Sequence, residues 1–312
     1  MVKCTVCKRK GAFFLRVYSG EKLCARCFCE SIENKVRATI SKYGMLEPED
    51  RVAVAVSGGK DSVSLLHISA KIEKSFPKAS ICAVTVDEGI RGYRDEAMEI
   101  AIENCLNLGI EHIVVSFKDL YGYPLDEIVK KIEVGRRGEL TPCSYCGVLR
   151  RKALNIAARK VGTDKLATAH NLDDEVQTML LNIIHGDPLR IARVKPVLTP
   201  KQPDIIQRIK PFCEIPEREI ALYAYLKGIR FQEIPCPYAG AALRNDVRRM
   251  LNRLEEKHSG AKYTIFRSME KIRSAIEGSI RDTEIRSCRI CGEPTVEDIC
   301  QACWMLRELN IL

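Results

Sequence analysis

The chain has 312 residues, 46% of them hydrophobic and 29% charged, with 50 lysines and arginines against 41 acids for a net charge of +9. Such a composition describes a globular chain of about two domains, or one with attached modules, and excludes a disordered tail protein. No run approaches about 18 apolar residues, so no membrane span is indicated; MVKCTVCKRK lacks the apolar core of a secretory signal, which makes the cytoplasm the expected compartment, and the basic balance attracts a polyanion without naming one.

Fifteen cysteines in such a chain read as metal ligands rather than a disulfide framework, and ten of them fall in five C-x-x-C pairs. Cys4 and Cys7 are followed, after sixteen residues, by Cys24 and Cys27, a zinc spacing with AFFLRVYSGEKL between them as a short hairpin. Four thiolates leave a zinc ion no open position, so the site folds its module and does no chemistry. Cys29 is a spare thiol packed nearby. Residues 31–44 read as a linking helix, with Ile32, Val36 and Ile40 on one face and Gly44 as its stop.

An α/β core follows. Strands over 51–56, 80–86, 112–117 and 165–169 alternate with helices over 62–74, 94–108, 125–133, 147–161 and 172–184, the pattern of a doubly wound parallel sheet. Ligands of such sheets sit at the carboxyl ends of the strands. Those ends carry Ser57 to Ser62, Asp87-Glu88-Gly89 and His170-Asn171-Leu172-Asp173-Asp174. From residue 185, HGDPLRIARVKPVLTPKQPD reads as a loop over the sheet edge, followed by a helix over 216–227, a loop at PCPYAG, and basic helices over 245–257 and 263–280. Arg244, Arg248, Arg249 and Arg253 lie roughly on one helix face, either a solvated surface or, with Arg190 and Arg193, an RNA contact. Cys288, Cys291, Cys300 and Cys303 form a second zinc set around a shorter loop holding Gly292 and Pro294. The implied units are 1–34 and 286–312 as zinc modules, 35–240 as the α/β domain, and 241–285 as a basic helical segment.

RVAVAVSGGKDS, residues 51–62, ends a buried strand in two glycines at a strand-to-helix turn. Free backbone N–H groups and the positive helix end there favour phosphate oxygens, and Lys60 adds charge. The stretch matches neither the G-x-x-x-x-G-K-[ST] pattern nor G-x-G-x-x-G. Farther on, Thr141 and Pro142 form a helix cap and first turn, placing Cys143 and Cys146 where helix N–H groups, Arg150, Arg151 and Lys152 are expected to lower thiolate pKa values. His170 with Asp173 and Asp174 reads equally as a helix cap or a catalytic group.

At SGGKDS the chain resembles the PP-loop ATP pyrophosphatases, which split ATP between its α and β phosphates. Through that turn, GELTPCSYCGVLRRKAL, ATAHNLDDEVQT, PCPYAG and the cysteine modules at both ends, it resembles over essentially its whole length the tRNA 2-thiouridine synthetases of the TtuA type. The tRNA cytidine thiolases share the core motifs and, as the resemblance has it, lack the paired zinc modules. The likeness implies that Ala55, Ser57, Gly58, Gly59, Asp61, Ser62, Asp87, Arg150, Ala169, His170 and Asp173 line ATP, with Mg²⁺ on the acids, and that Lys60 and Asp174 serve catalysis. It further implies that Cys143, Cys146 and Cys236 hold a 4Fe-4S cluster with one iron open for the transferred sulfur, a direct cysteine persulfide, a redox disulfide and an inert pair being the other readings.

The implied reaction is adenylation of a uridine C2 oxygen followed by sulfur transfer, at T-loop position 54 of tRNA or, alternatively, at wobble uridine 34 or on cytidine. A ubiquitin-like protein with a C-terminal thiocarboxylate is the implied sulfur donor, and a homodimer the implied assembly. Nitrogen transfer by a PP-loop enzyme, and a non-catalytic zinc-finger RNA-binding protein, are the readings from other classes.

Overall fold

A computed structural model describes residues 2–135, 140–198, 206–239, 243–279 and 286–312. Gly138 and Glu139 of the GELTPC motif, Gly240 of PCPYAG, and the unit boundaries at 240 and 285 lie outside the described residues.

The N-terminal module is the expected hairpin, β1 (Phe14–Arg16) and β2 (Glu21–Leu23), paired antiparallel. It runs into α1 (Ala25–Lys42), which starts six residues earlier than the apolar periodicity suggests because Cys24, in extended backbone, is its N-cap. The Cys24-x-x-Cys27 pair therefore contains the helix start. Cys27, Phe28 and Ile32 of α1 are buried in one continuous core with Val36 and with Val52 and Val54 of the sheet.

The core elements are β3 (Arg51–Ala55), α2 (Lys60–Glu73), β4 (Ser80–Asp87), α3 (Arg94–Leu108), β5 (Glu111–Ser116), α4 (Phe117–Tyr121), α5 (Leu125–Gly135), α6 (Pro142–Val161), β6 (Lys165–Ala167) and α7 (Leu172–Ile184). Then come α8 (Pro188–Arg193), β7 (Val197–Leu198), β8 (Gln207–Ile209) and α9 (Glu217–Leu226). After a single 3-10 turn at Pro237–Ala239, the chain continues as α10 (Leu243–Lys257), α11 (Ala261–Ser279), the β9 (Arg286–Ser287) and β10 (Pro294–Thr295) hairpin, and α12 (Gln301–Glu308).

The sheet order is β5-β4-β3-β6-β8-β7. Neighbouring pairs among the first five strands are parallel, and β7 runs antiparallel on the edge, Val197 opposite Ile209. The doubly wound reading holds, with two corrections. The stretch from 185 is not wholly a loop, since Asp187 caps α8 by accepting the Arg190 N–H and Pro188 opens it. Helix α6 begins not at 147 but at the Thr141-Pro142 cap and first turn that the sequence also marks, the Thr141 hydroxyl accepting from the Ser144 N–H.

The order reverses between β3 and β6, whose carboxyl ends open the crevice where ligands of such sheets bind. A second apolar cluster lies beside the main core. It joins Tyr145, Cys146 and Leu149 of α6 to Phe117, Tyr121 and Ile128 and to Met305 and Leu306 of α12, so the C-terminal module is braced against α6.

Candidate active site

The turn after β3 is built by its own hydroxyls. Ser62 Oγ accepts the Ser57 N–H at 3.0 Å and donates to the Gly59 carbonyl at 2.9 Å. Gly58 has φ +84°, and a Cβ there would stand 2.4 Å from the Ala97 carbonyl oxygen. Only glycine fits. Gly59 is the N-cap of α2 without a side-chain cap, so the first N–H groups of the helix face the crevice. The backbone of Gln232 closes the other side, donating to the Gly58 carbonyl at 2.9 Å.

Lys60 Nζ reaches Asp61 Oδ2 at 3.0 Å and Glu217 Oε1 at 2.8 Å. Asp61 Oδ1 is buried without a hydrogen-bond partner. Burial, together with the nearby Glu217 and Asp174 carboxylates, pushes the Asp61 carboxyl up to about 6 despite Lys60. Asp87, at the end of β4, accepts the Gly89 N–H at 2.8 Å.

A line of contacts, buried at Arg94 and Glu88, leads from this turn to the cysteines of α6. Arg94 donates to the Ser57 carbonyl at 2.9 Å and the Val86 carbonyl at 2.7 Å, and its Nε lies 3.0 Å from Glu88 Oε2. The other Glu88 oxygen meets Arg150 Nε at 3.2 Å, and Arg150 Nη2 is 3.3 Å from Cys146 Sγ. Cys143, one turn earlier, donates its thiol to the Tyr238 carbonyl at 3.2 Å. Cys236 lies in the same loop, whose Tyr238 hydroxyl is tied to Asp126 at 2.7 Å. Cys236 packs against the apolar cluster that holds Cys146, which sets its loop, with Tyr238, over the start of α6.

The expectation that arginines and lysine lower the Cys146 thiol fails. Burial outweighs Arg150 and holds it above the ordinary value. Lys152 turns away from Cys146, its Nζ 3.5 Å from Cys303 Sγ. Arg151 crowds Arg208, which donates to the Arg151 carbonyl at 2.7 Å.

Past β6, whose ladder ends at Ala167 rather than 169, Ala169 is half-buried and His170 stands at the crevice. Its Nδ1 lies 2.9 Å from Thr168 Oγ1, and although the ring is exposed at the crevice mouth, desolvation there together with Lys210, Arg244, Arg208 and Arg150 holds its pKa below the ordinary value. Asn171 and Asp174 form a capping box, with Arg244 3.5 Å from Asp174 Oδ1. Asp173 is placed otherwise: Oδ2 accepts the Glu217 N–H at 2.9 Å, and Oδ1 pairs with the buried Lys262.

The arginines divide. Arg244 and Arg248 turn inward, Arg248 onto both oxygens of Glu217 at 2.9 Å. Arg190 and Arg249 are exposed and pair within their own helix regions, with Asp187 and Asp246, while Arg193 is exposed on α8. Sequence reasoning missed Glu217 and Arg94 and gave Glu88 a place without a role. For Arg94 the available signal was a basic residue in the first turn of a helix, where acids are the rule.

Each terminal module gathers four sulfurs within 4.8 Å of one another, Cys4, Cys7, Cys24 and Cys27 in one and Cys288, Cys291, Cys300 and Cys303 in the other. Cys7 and Cys24 sulfurs are 3.9 Å apart, and Cys291 and Cys300 sulfurs 3.7 Å. Against burial, backbone N–H donors hold the Cys4 and Cys288 thiols down to about 6. Cys213, beyond the end of β8, is fully buried with its thiol pushed well up by burial.

Among the described residues, no helix is long and apolar enough to cross a membrane. Residues 29–255 match the PP-loop domain family. The chain is 36% identical to the tRNA-5-methyluridine(54) 2-sulfurtransferase of Pyrococcus horikoshii, covering 99% of this chain and 96% of that one. It is 36% identical to the cytoplasmic tRNA 2-thiolation protein 1 of Chlamydomonas reinhardtii, over 98% and 85%. The solved U34-tRNA thiolase NcsA of Methanococcus maripaludis, described with its [4Fe-4S] cluster, superposes with a TM-score of 0.86 at 34% identity, over 100% and 98%. With its phosphate turn, the cysteine pair that opens α6 and two four-cysteine modules, this chain belongs to the PP-loop tRNA 2-thiolation proteins.

Proposed function

We propose that this chain is an ATP-dependent tRNA 2-thiolase of the cytoplasm, adenylating a uridine C2 oxygen and replacing it with sulfur. The observation that carries the reading is the line of contacts Ser57–Arg94–Glu88–Arg150–Cys146, buried at Arg94 and Glu88, which joins the phosphate turn to the cysteine pair of α6. The C2 oxygen attacks the α-phosphorus of ATP and pyrophosphate leaves, its charge met by the turn's N–H groups, Lys60 and Arg150. The base then carries AMP as a good leaving group, and sulfur adds at C2. Mg²⁺ on the phosphates is assigned to Asp61, whose Oδ1 is unpartnered, and to Asp174, which also serves proton transfer. His170, neutral and surrounded by cations, lines the nucleotide without adding charge.

Cys143, Cys146 and Cys236 would hold a 4Fe-4S cluster, for Cys143 meets the loop that carries Cys236, and Cys236 packs against the apolar cluster holding Cys146. When bound, the cluster supplies the transferred sulfur from the iron that no protein thiolate ligates. The terminal sets fit zinc, because tetrahedral Zn–S bonds of about 2.3 Å place sulfurs about 3.8 Å apart, matching the observed 3.9 and 3.7 Å. A ubiquitin-like thiocarboxylate carrier and a second copy of the chain are the proposed partners, supported by the family likeness.

Position 54 is the proposed target. Mass spectrometry of tRNA nucleosides, mapped to position, should show 2-thiouridine at 54 lost from cells lacking the gene. Loss at position 34 instead redirects the target to the wobble base, and unchanged thiolation at both overturns the reading.

A further inference from the structure

Glu217 brings a carboxylate into the place where phosphate is expected. Its Oε1 lies 2.8 Å from Lys60 Nζ, and both oxygens lie 2.9 Å from Arg248 Nη2. The backbone of this residue is pinned, since its N–H donates to Asp173, while the carboxylate, 22% exposed, faces the nucleotide turn. Lys60 cannot give its full charge to a phosphate while it is paired with a carboxylate. A second carboxylate, Asp61, also meets Lys60 at 3.0 Å, so the lysine is shared between two anions before any phosphate arrives.

Resting on the ATP reading above, we propose that Glu217 is the internal counter-anion of Lys60, displaced by the triphosphate and returning to Lys60 as pyrophosphate departs. No bond is made or broken in this exchange. Arg248 holds the carboxylate when Lys60 is occupied, so Glu217 always keeps one cation. Glu217 is thus a positioning residue that sets how firmly the turn grips pyrophosphate, and its return favours release of product over reversal of adenylation.

Calorimetric titration of the full chain with inorganic pyrophosphate tests the assignment. Glu217→Gln removes the competing anion and should bind pyrophosphate about fivefold tighter, the order expected for losing one partly screened ion pair. Glu217→Asp, with a shorter arm from the same backbone, should move in the same direction and serves if the amide variant folds poorly. Arg248→Gln should bind about fivefold more weakly, because a carboxylate freed of one cation holds the other harder. In the Glu217→Gln background, Arg248→Gln should change nothing further.

Glu217→Gln of native zinc content and circular dichroism that binds pyrophosphate no tighter than the parent overturns the counter-anion role and leaves the ATP reading standing. Equal loss from Arg248→Gln in both backgrounds also overturns it, since Arg248 would then touch pyrophosphate itself. Absence of binding in every form overturns the inference and the ATP reading together.

Discussion

Arg94 and Glu88 form a buried ion pair, Nε to Oε2 3.0 Å, at the seam between the phosphate turn and the cysteine helix α6. Arg94 spends its two Nη groups on the carbonyls of Ser57 and Val86, and Glu88 spends its second oxygen on Arg150. The pair therefore fixes the spacing between the phosphate turn and the start of α6.

Glu88→Gln should destabilise the chain by about 3–5 kcal/mol, because it leaves Arg94 charged and uncompensated in a buried place. Urea unfolding measures the loss. A change within about 0.5 kcal/mol, the usual range for surface substitutions, would show that the pair does not staple the seam.

Gly58→Ala should abolish ATP binding while the zinc modules stay intact. The alanine methyl cannot occupy a spot 2.4 Å from the Ala97 carbonyl oxygen at φ +84°, so the turn must open and its N–H groups scatter. Isothermal titration with ATP, beside zinc analysis, decides the matter; parental affinity would refute the cradle.

Asp61 supplies a pH test. Burial first, with Glu217 and Asp174, lifts its carboxyl from 3.8 to about 6. Between those values the folded chain keeps a proton that the unfolded chain has released, so this residue's contribution to stability falls as pH rises through the window. Asp61→Asn carries no such proton, and its advantage over the parent should open above pH about 4 and level off above about 6. Urea midpoints of both proteins at stepped pH give the difference; an advantage that narrows with rising pH contradicts the assignment.

Iron should be lost from Cys143→Ala, Cys146→Ala and Cys236→Ala after anaerobic reconstitution, and retained by Cys213→Ala, whose thiol is wholly buried elsewhere. Iron counting with electron paramagnetic resonance reads this directly. A normal cluster in the Cys236 variant that still thiolates tRNA would remove the open-iron assignment.

Elemental analysis should find about two zinc ions per chain, and about one after Cys288→Ala. That variant should also loosen α6, since Lys152 and Cys303 meet at 3.5 Å and Asn155 reaches Glu293 at 3.4 Å. Faster amide exchange in α6 is the expected reading, and unchanged exchange would uncouple module from helix.

Local patterns were legible in the sequence and long-range ones were not. The phosphate turn, the hairpin between Cys7 and Cys24, and helices α3 and α7 announce themselves through glycine placement, ligand spacing and apolar period, each contained in a short window. Helix α8 was equally announced by Asp187-Pro188 but was hidden by the proline-rich stretch around it. Glu217 reaches Lys60 across 157 residues, and nothing near IPEREI says so. The rise of the Cys146 thiol was misjudged for a related reason. Neighbouring arginines are visible in a sequence, whereas the apolar cluster that buries the sulfur is assembled from four distant segments.

Helix α6 carries Cys143 and Cys146 in its first turns and Lys152 farther along, against the C-terminal cysteine set. Inserting or deleting one residue between Cys146 and Lys152 would turn one functional face against the other by about 100°. In the evolution of such chains this helix can change its residues but not its length.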